Sequence, residues 1–222
     1  IIAKSGGRFN LTMSGNTISN NTSFPLEISD ESDQSTATST YQISNNEFIN
    51  NSKSIRIAAK SSSSQYETAE ITLNNNTITS DSSSSGSDGS IASYALIIGE
   101  TSGISFNSYP QEKVPSITVS NNTLTGYNGG LLYYQNRGDD TISGNKFHDS
   151  QGTNTIYIVP SGQLTFEKNV ISENNGTNTI LFSPSNNLQI SNNNIYDNNT
   201  TYDIKPNNPG TLQATQKNNW WG

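Results

Sequence analysis

The chain contains no cysteine and a single histidine, His148, among its 222 residues. The first absence excludes a disulfide framework and any thiolate metal site, and it leaves both reducing and oxidising compartments open. The second excludes a metal centre built from several imidazoles. Charged residues make up only 13% of the sequence and the net charge is −7, so the clustered Lys and Arg of a phosphate-binding surface are missing and a nucleic-acid partner is excluded. No run of about 18 apolar residues occurs, and no membrane span is expected in this segment. No basic, apolar leader is expected within this segment either. The chain opens mid-pattern on IIAKSGGRFN and closes on NNWWG, and it is expected to be a piece excised from a longer protein.

Asn, Ser and Thr dominate instead, at roughly two-fifths of the residues, while hydrophobic residues reach only 30%. Composition of that kind alone points to low complexity or disorder. The spacing of the apolar residues argues otherwise. One phrase recurs seven times: LTMSGNTIS at 11, YQISNNEFI at 41, ITLNNNTIT at 71, ITVSNNTLT at 117, DTISGNKFH at 140, LTFEKNVIS at 164 and LQISNNNIY at 188. Its invariant position is Asn16, Asn46, Asn76, Asn122, Asn145, Asn169 and Asn193, at intervals of 30, 30, 46, 23, 24 and 24. Apolar and polar residues alternate with period 2, which specifies strands. The density of Asn, Ser, Thr and Gly disfavours helix.

A second apolar segment follows each Asn after about 10 to 13 residues, at Leu26 and Ile28, Ile55 and Ile57, Leu131 to Tyr134, Ile156 and Ile158, Ile180 and Phe182, and Tyr202 and Ile204. Each unit therefore has a first strand, a corner with a short second strand, and a third strand that closes the turn. This describes a parallel β-helix, with neighbouring turns stacked at about 4.8 Å. The corner Asn tolerates left-handed backbone angles, and its amide can pair with the Asn above and below to form a ladder.

The pattern apolar-x-apolar-S-x-N-x-apolar resembles the parallel β-helix repeats of the pectate-lyase-like superfamily, over roughly residues 9 to 215. The terminal NNWWG is similar to endings found after such repeats in adhesin-like surface proteins of bacteria and archaea. The resemblance implies an all-β, right-handed, single-stranded parallel β-helix of about seven to eight turns, forming one domain over residues 1–222. It further implies an extracellular or cell-surface location and a non-catalytic role in attachment or ligand recognition. Expected partners are carbohydrate or protein on a host or neighbouring cell; no cofactor is expected, with calcium as an open option. A polysaccharide lyase or hydrolase is the rival function, and a passive stalk is the third.

The pattern breaks at insertions over 29–40, 58–70, 79–90 and 99–116. The first, second and fourth leave the same edge of neighbouring turns, so they are expected to build one wall and a candidate binding surface. The wall carries Asp30, Glu31, Asp33, Tyr66, Glu67, Glu70, Glu100, Phe106, Tyr109 and Glu112, a set of acids and aromatics suited to sugars or cations. The 46-residue interval holds either insertions, the preferred account, or an extra turn in which Ile104 and Phe106 form a degenerate first strand.

Two outward rows are also expected. One is Glu27, Arg56, Ile97, Leu132, Tyr157, Leu181 and Asp203, with an apolar middle suited to a partner. The other is Thr12, Gln42, Thr72, Thr118, Thr141, Thr165, Gln189 and Gln213, a polar column on a wet face. An alternative site lies at NRGDD, with Arg137, Asp139 and Asp140 grouped with His148. Asp139 and Asp140 resemble the paired aspartates of polygalacturonases, but the NTD, GHG and RIK tripeptides of that family are missing, and an Asp pair beside Gly is also a common turn former. Arg137 to Asp139 also spells an integrin-recognition tripeptide. Trp220 and Trp221 are expected to plug the end of the coil.

Overall fold

The structure, a computed structural model, describes residues 2–5, 10–30, 38–59, 69–81, 94–101, 104–105, 114–208 and 214–222. Among these residues there is no helix. The strands form three parallel sheets of eight strands each, and every turn of the coil contributes one strand to each sheet. The first-strand sheet contains Asn10–Ser14, Ser39–Ser44, Ala69–Asn74, Ser116–Ser120, Asp140–Ser143, Leu164–Glu167, Leu188–Ser191 and Ala214–Lys217. The second-strand sheet is made of three-residue strands, such as Thr77–Thr79 and Lys146–His148, and ends on Trp220–Trp221. The third-strand sheet runs from Ile2–Ser5 through Glu27–Asp30, Ile55–Ala59, Tyr94–Ile98, Gly130–Tyr134, Asn154–Ile158 and Asn175–Phe182 to Asn199–Pro206. The end turns are incomplete, so complete turns are fewer than strands per sheet.

Alternation places one apolar column of each strand in the bore. Met13, Ile43, Leu73, Val119, Ile142, Phe166 and Ile190 stack from the first-strand sheet, and Phe48, Ile78, Leu124, Phe147, Ile171 and Ile195 from the second. Each is buried, and burying a side chain of this size stabilises by roughly 1.5–3 kcal/mol. Trp221 continues the second-strand column beyond Ile195, whereas Trp220 faces outward and packs edge-on against Tyr196.

The asparagine ladder runs through all seven expected residues and continues to Asn219. Each amide nitrogen donates to the Oδ1 of the next Asn, at 2.9–3.0 Å. That Oδ1 also accepts the backbone N–H of the preceding ladder residue, as Asn122 Oδ1 does from Asn76 at 2.8 Å. The left-handed position, however, is not the ladder Asn but the residue before it. Gly15, Asn45, Asn75, Asn121, Gly144, Lys168, Asn192 and Asn218 have φ between 52° and 69°. The ladder residue is selected for its amide, its neighbour for backbone freedom.

A second ladder lies five residues further on, at the corner between second and third strands. Asn21 donates to Asn51 at 2.8 Å, and Asn174 donates to Asn198 at 2.9 Å, while Asn174 Oδ1 accepts the Ser150 N–H. The residues before these corners, Asn20, Asn50, Gly126, Asp149, Glu173 and Asp197, again have positive φ.

Within the 46-residue interval, Ala69–Asn74 pairs directly with Ser116–Ser120, and Thr77–Thr79 with Thr123–Thr125. No further first strand lies between them in the sheet. Ile104 sits instead in a short antiparallel pair, Glu100–Thr101 with Ile104–Ser105.

Candidate functional site

The outer face of the third-strand sheet departs from an ordinary wet surface. In the observed register Glu27 pairs with Arg56, Arg56 with Ile97, Ile97 with Tyr133, Tyr133 with Tyr157, Tyr157 with Leu181, and Leu181 with Lys205. Two members of the expected row are therefore corrected. Leu132 points into the bore between Leu96 and Ile156, and Tyr133 takes its outward place. Asp203 is replaced by Lys205, because Ile204 stacks on Ile180 and Pro206 on Phe182. In the polar column of the first-strand sheet, Gln189 pairs with Thr215 rather than with Gln213.

The apolar middle of this outer row is aromatic. Tyr133 stands edge-on between Tyr94 and Tyr157, with ring centroids 5.8 and 5.5 Å away. Such pairs contribute about 0.5–1.5 kcal/mol beyond area burial. Gly130 makes room for the arrangement: its φ is 142°, and a Cβ there would lie 2.4 Å from the Tyr94 ring. Ile97 and Tyr133 are only 2% and 4% exposed, but Tyr157, Leu181 and Lys205 are half-open and Tyr202 is 46% exposed. The row is thus a buried anchor that opens toward the later turns.

Polar groups border the rings. Tyr133 donates to Gln135 at 2.9 Å, the Asn207 amide donates to the Tyr157 hydroxyl at 3.2 Å, and Asn178 donates to Asn154 at 2.7 Å. The Tyr94 phenol is hydrogen-bonded to Asn154, and burial pushes its pKa up to about 12, so it is a neutral hydroxyl. The Lys205 ammonium lies 4.3 Å from the centre of the Tyr202 ring. At the other end, Arg56 pairs with Glu27 at 2.9 Å and stacks on Phe24 at 3.9 Å. The half-open Tyr157, with the Asn207 amide beside it, and the exposed Tyr202 can bind a polyhydroxylated ligand by apolar stacking and hydrogen bonding together.

Of the expected wall, Glu31, Asp33, Tyr66, Glu67, Phe106, Tyr109 and Glu112 lie outside the described residues. Asp30 closes its third strand, Glu100 sits in the antiparallel pair, and Glu70 is exposed on the first-strand sheet, paired in register with Ser116.

The alternative group is not brought together. Arg137 and Asp139 lie in the connection from third to first strand, and Asp139 is exposed. Asp140 is only 3% exposed and points into the bore, accepting hydrogen bonds from Ile117 N at 2.8 Å, Tyr134 Oη at 2.7 Å and Asn136 Nδ2 at 2.6 Å. His148 is the last residue of the second strand Lys146–His148, beside a different corner, where its Nδ1 lies 2.6 Å from Asp149 Oδ2.

Glu173, one turn beyond Asp149, completes a set with His148 and Asp149 whose ligand atoms all lie within 4.8 Å of one another. One nitrogen and two carboxylate oxygens suit a divalent transition ion better than calcium. This set was missed from sequence, although the 24-residue spacing of Asp149, Glu173 and Asp197 was the available signal. Two open hollows lie at the first turn, around Leu11 and Thr12, and among the described residues neither is lined by an ionisable side chain.

The family model for the right-handed β-helix region matches residues 85–219, more than half of the chain. Neither the curated proteins nor the solved structures contain a match.

Proposed function

We propose that this chain, which belongs to the right-handed β-helix family, is a non-catalytic, adhesin-like recognition module that binds carbohydrate on a cell surface through the outer face of its third-strand sheet. The observation that carries this reading is the tyrosine column Tyr94, Tyr133 and Tyr157, set outside the bore and bordered by Gln135, Asn154, Asn178 and Asn207. Tyr94 and Tyr133 anchor this face while buried, and the row opens at Tyr157, Leu181 and Tyr202, a partly exposed aromatic and apolar strip of the kind that takes a ligand. Stacked turns supply a stiff rod that holds this face at a fixed orientation.

A polysaccharide-cleaving function receives less support from the same geometry. Hydrolysis needs two carboxyl groups across the scissile bond, and the pair that resembles the polygalacturonase aspartates does not supply them, since Asp139 faces solvent while Asp140 faces the bore. The extracellular location and the surface partner belong to the proposal.

The test is a glycan array probed with the purified chain, in calcium and in chelator. Saturable retention of one sugar class is expected; a blank array under both conditions overturns carbohydrate recognition.

A further inference from the structure

Asp140 occupies a position that is apolar in the neighbouring turns. Thr118 pairs with Thr141, which sets Asp140 above Ile117, and Asp140 pairs with Leu164 in the next turn. A carboxylate inside an apolar column has to be held by donors, and three surround it. Ile117 N–H meets Oδ1, while Tyr134 Oη and Asn136 Nδ2 both meet Oδ2. Asn136 Nδ2 also donates to the Pro115 carbonyl at 3.1 Å, and Asn136 Oδ1 is buried with no hydrogen-bond partner. The acid and the amide together fasten residues 115–117, where the chain enters its first strand, to the following turn.

We propose that Asp140, Asn136 and Tyr134 form a proton-operated latch that holds Pro115 and Ile117 against the next turn when the carboxylate is ionised and partly releases them when it is protonated. Protonation turns one carboxyl oxygen into a donor, which must face an acceptor. Two donors already converge on Oδ2, so one of them has to turn, and Tyr134 Oη could accept only by turning its hydrogen away from the one acceptor it has among the described residues. Asn136 carries the unused acceptor: rotating its amide presents Oδ1 to the new proton and withdraws Nδ2 from the Pro115 carbonyl. Two titratable side chains interact with Asp140, Tyr134 from the third strand and Asp139 beside it. Arg137 lies half-buried in the same connection, and the strands on either side present Ile117 and Leu164, neither titratable. Burial is the main cause that raises the Asp140 pKa, to about 6, within reach of mildly acidic surroundings.

The experiment follows the Asn136 side-chain amide and the Ile117 backbone amide by NMR from pH 4 to pH 8 in the intact chain. Both resonances are expected to move with one shared midpoint near pH 6, and neither to move in Asp140→Asn. Should that variant fail to fold, Tyr134→Phe removes a donor to the ionised form and is expected to raise the shared midpoint. Amides that do not titrate in this range, an Ile117 shift without an Asn136 shift, or a midpoint unchanged by Tyr134→Phe would each overturn the latch.

Discussion

Asn122→Ala removes one rung of the first ladder at the middle of the coil. The Asn122 side chain takes part in five hydrogen bonds: Oδ1 accepts from Asn76 N and Asn76 Nδ2, and Nδ2 donates to Asn145 Oδ1, Leu73 O and Ser120 O. Some partners survive its loss. Asn76 Nδ2 keeps Ile43 O, Ser120 O keeps the Asn75 N–H, and Asn145 Oδ1 keeps the Asn122 N–H. The buried Asn76 N–H loses the partner it has here, which costs about 1–3 kcal/mol, and the other bonds contribute about 1 kcal/mol net apiece where no substitute exists. A destabilisation of about 2–4 kcal/mol is expected. Asn16→Ala at the exposed end loses only the bonds of its Nδ2 to Ser14 O and Asn46 Oδ1, and should cost under about 1 kcal/mol. Urea unfolding followed by circular dichroism measures both, with the slope compared because local opening of a solenoid lowers it. Equal, small losses for the two variants would refute the ladder as a source of stability.

Further outcomes follow from backbone and burial. Lys168 has φ 55° where most other turns use Asn or Gly, so Lys168→Asn should stabilise by about 0.5–1 kcal/mol even after losing its exposed pairing with Glu167, as thermal unfolding would register. Gly130→Ala forces a Cβ against the Tyr94 ring and the Asn154 carbonyl at a φ of 142°, and should lower the melting temperature while reducing the near-ultraviolet tyrosine signal. Asp140 has a folded pKa of about 6 against an ordinary 3.8, so the folded chain holds the proton more tightly than the unfolded one. Its contribution to stability is fullest below about pH 4, declines as pH rises toward 6 by about 3 kcal/mol, and is flat above. Asp140→Asn should flatten this part of the pH–stability profile.

Turn architecture was legible in the sequence because each turn repeats the same physical demand. The apolar alternation marks the strands, and a fixed Asn marks the first corner. The second corner was harder to see. Its ladder is interrupted where Asp81, Tyr127 and Ser150 stand in place of Asn, so the recurrence at Asn21, Asn51, Asn174 and Asn198 does not read as one series. The tyrosine column was hidden for a different reason. In Leu131–Leu132–Tyr133–Tyr134 no polar residue marks the solvent side, and all four are buried, so composition carries no parity and only the pairing of Tyr133 with Ile97 and Tyr157 fixes it. Asp140 was visible as the second acid of the pair that follows Gly138, but its inward direction depends on the register with Leu164.

The central claim is that the outer face of the third-strand sheet binds sugar. The most direct measurement repeats the glycan array with Tyr157→Ala combined with Tyr202→Ala, beside Asp139→Asn, after circular dichroism shows each variant folded. The account predicts that the tyrosine variant loses retention and that Asp139→Asn keeps it. Retention that survives loss of both tyrosines, or that disappears with Asp139, would contradict it.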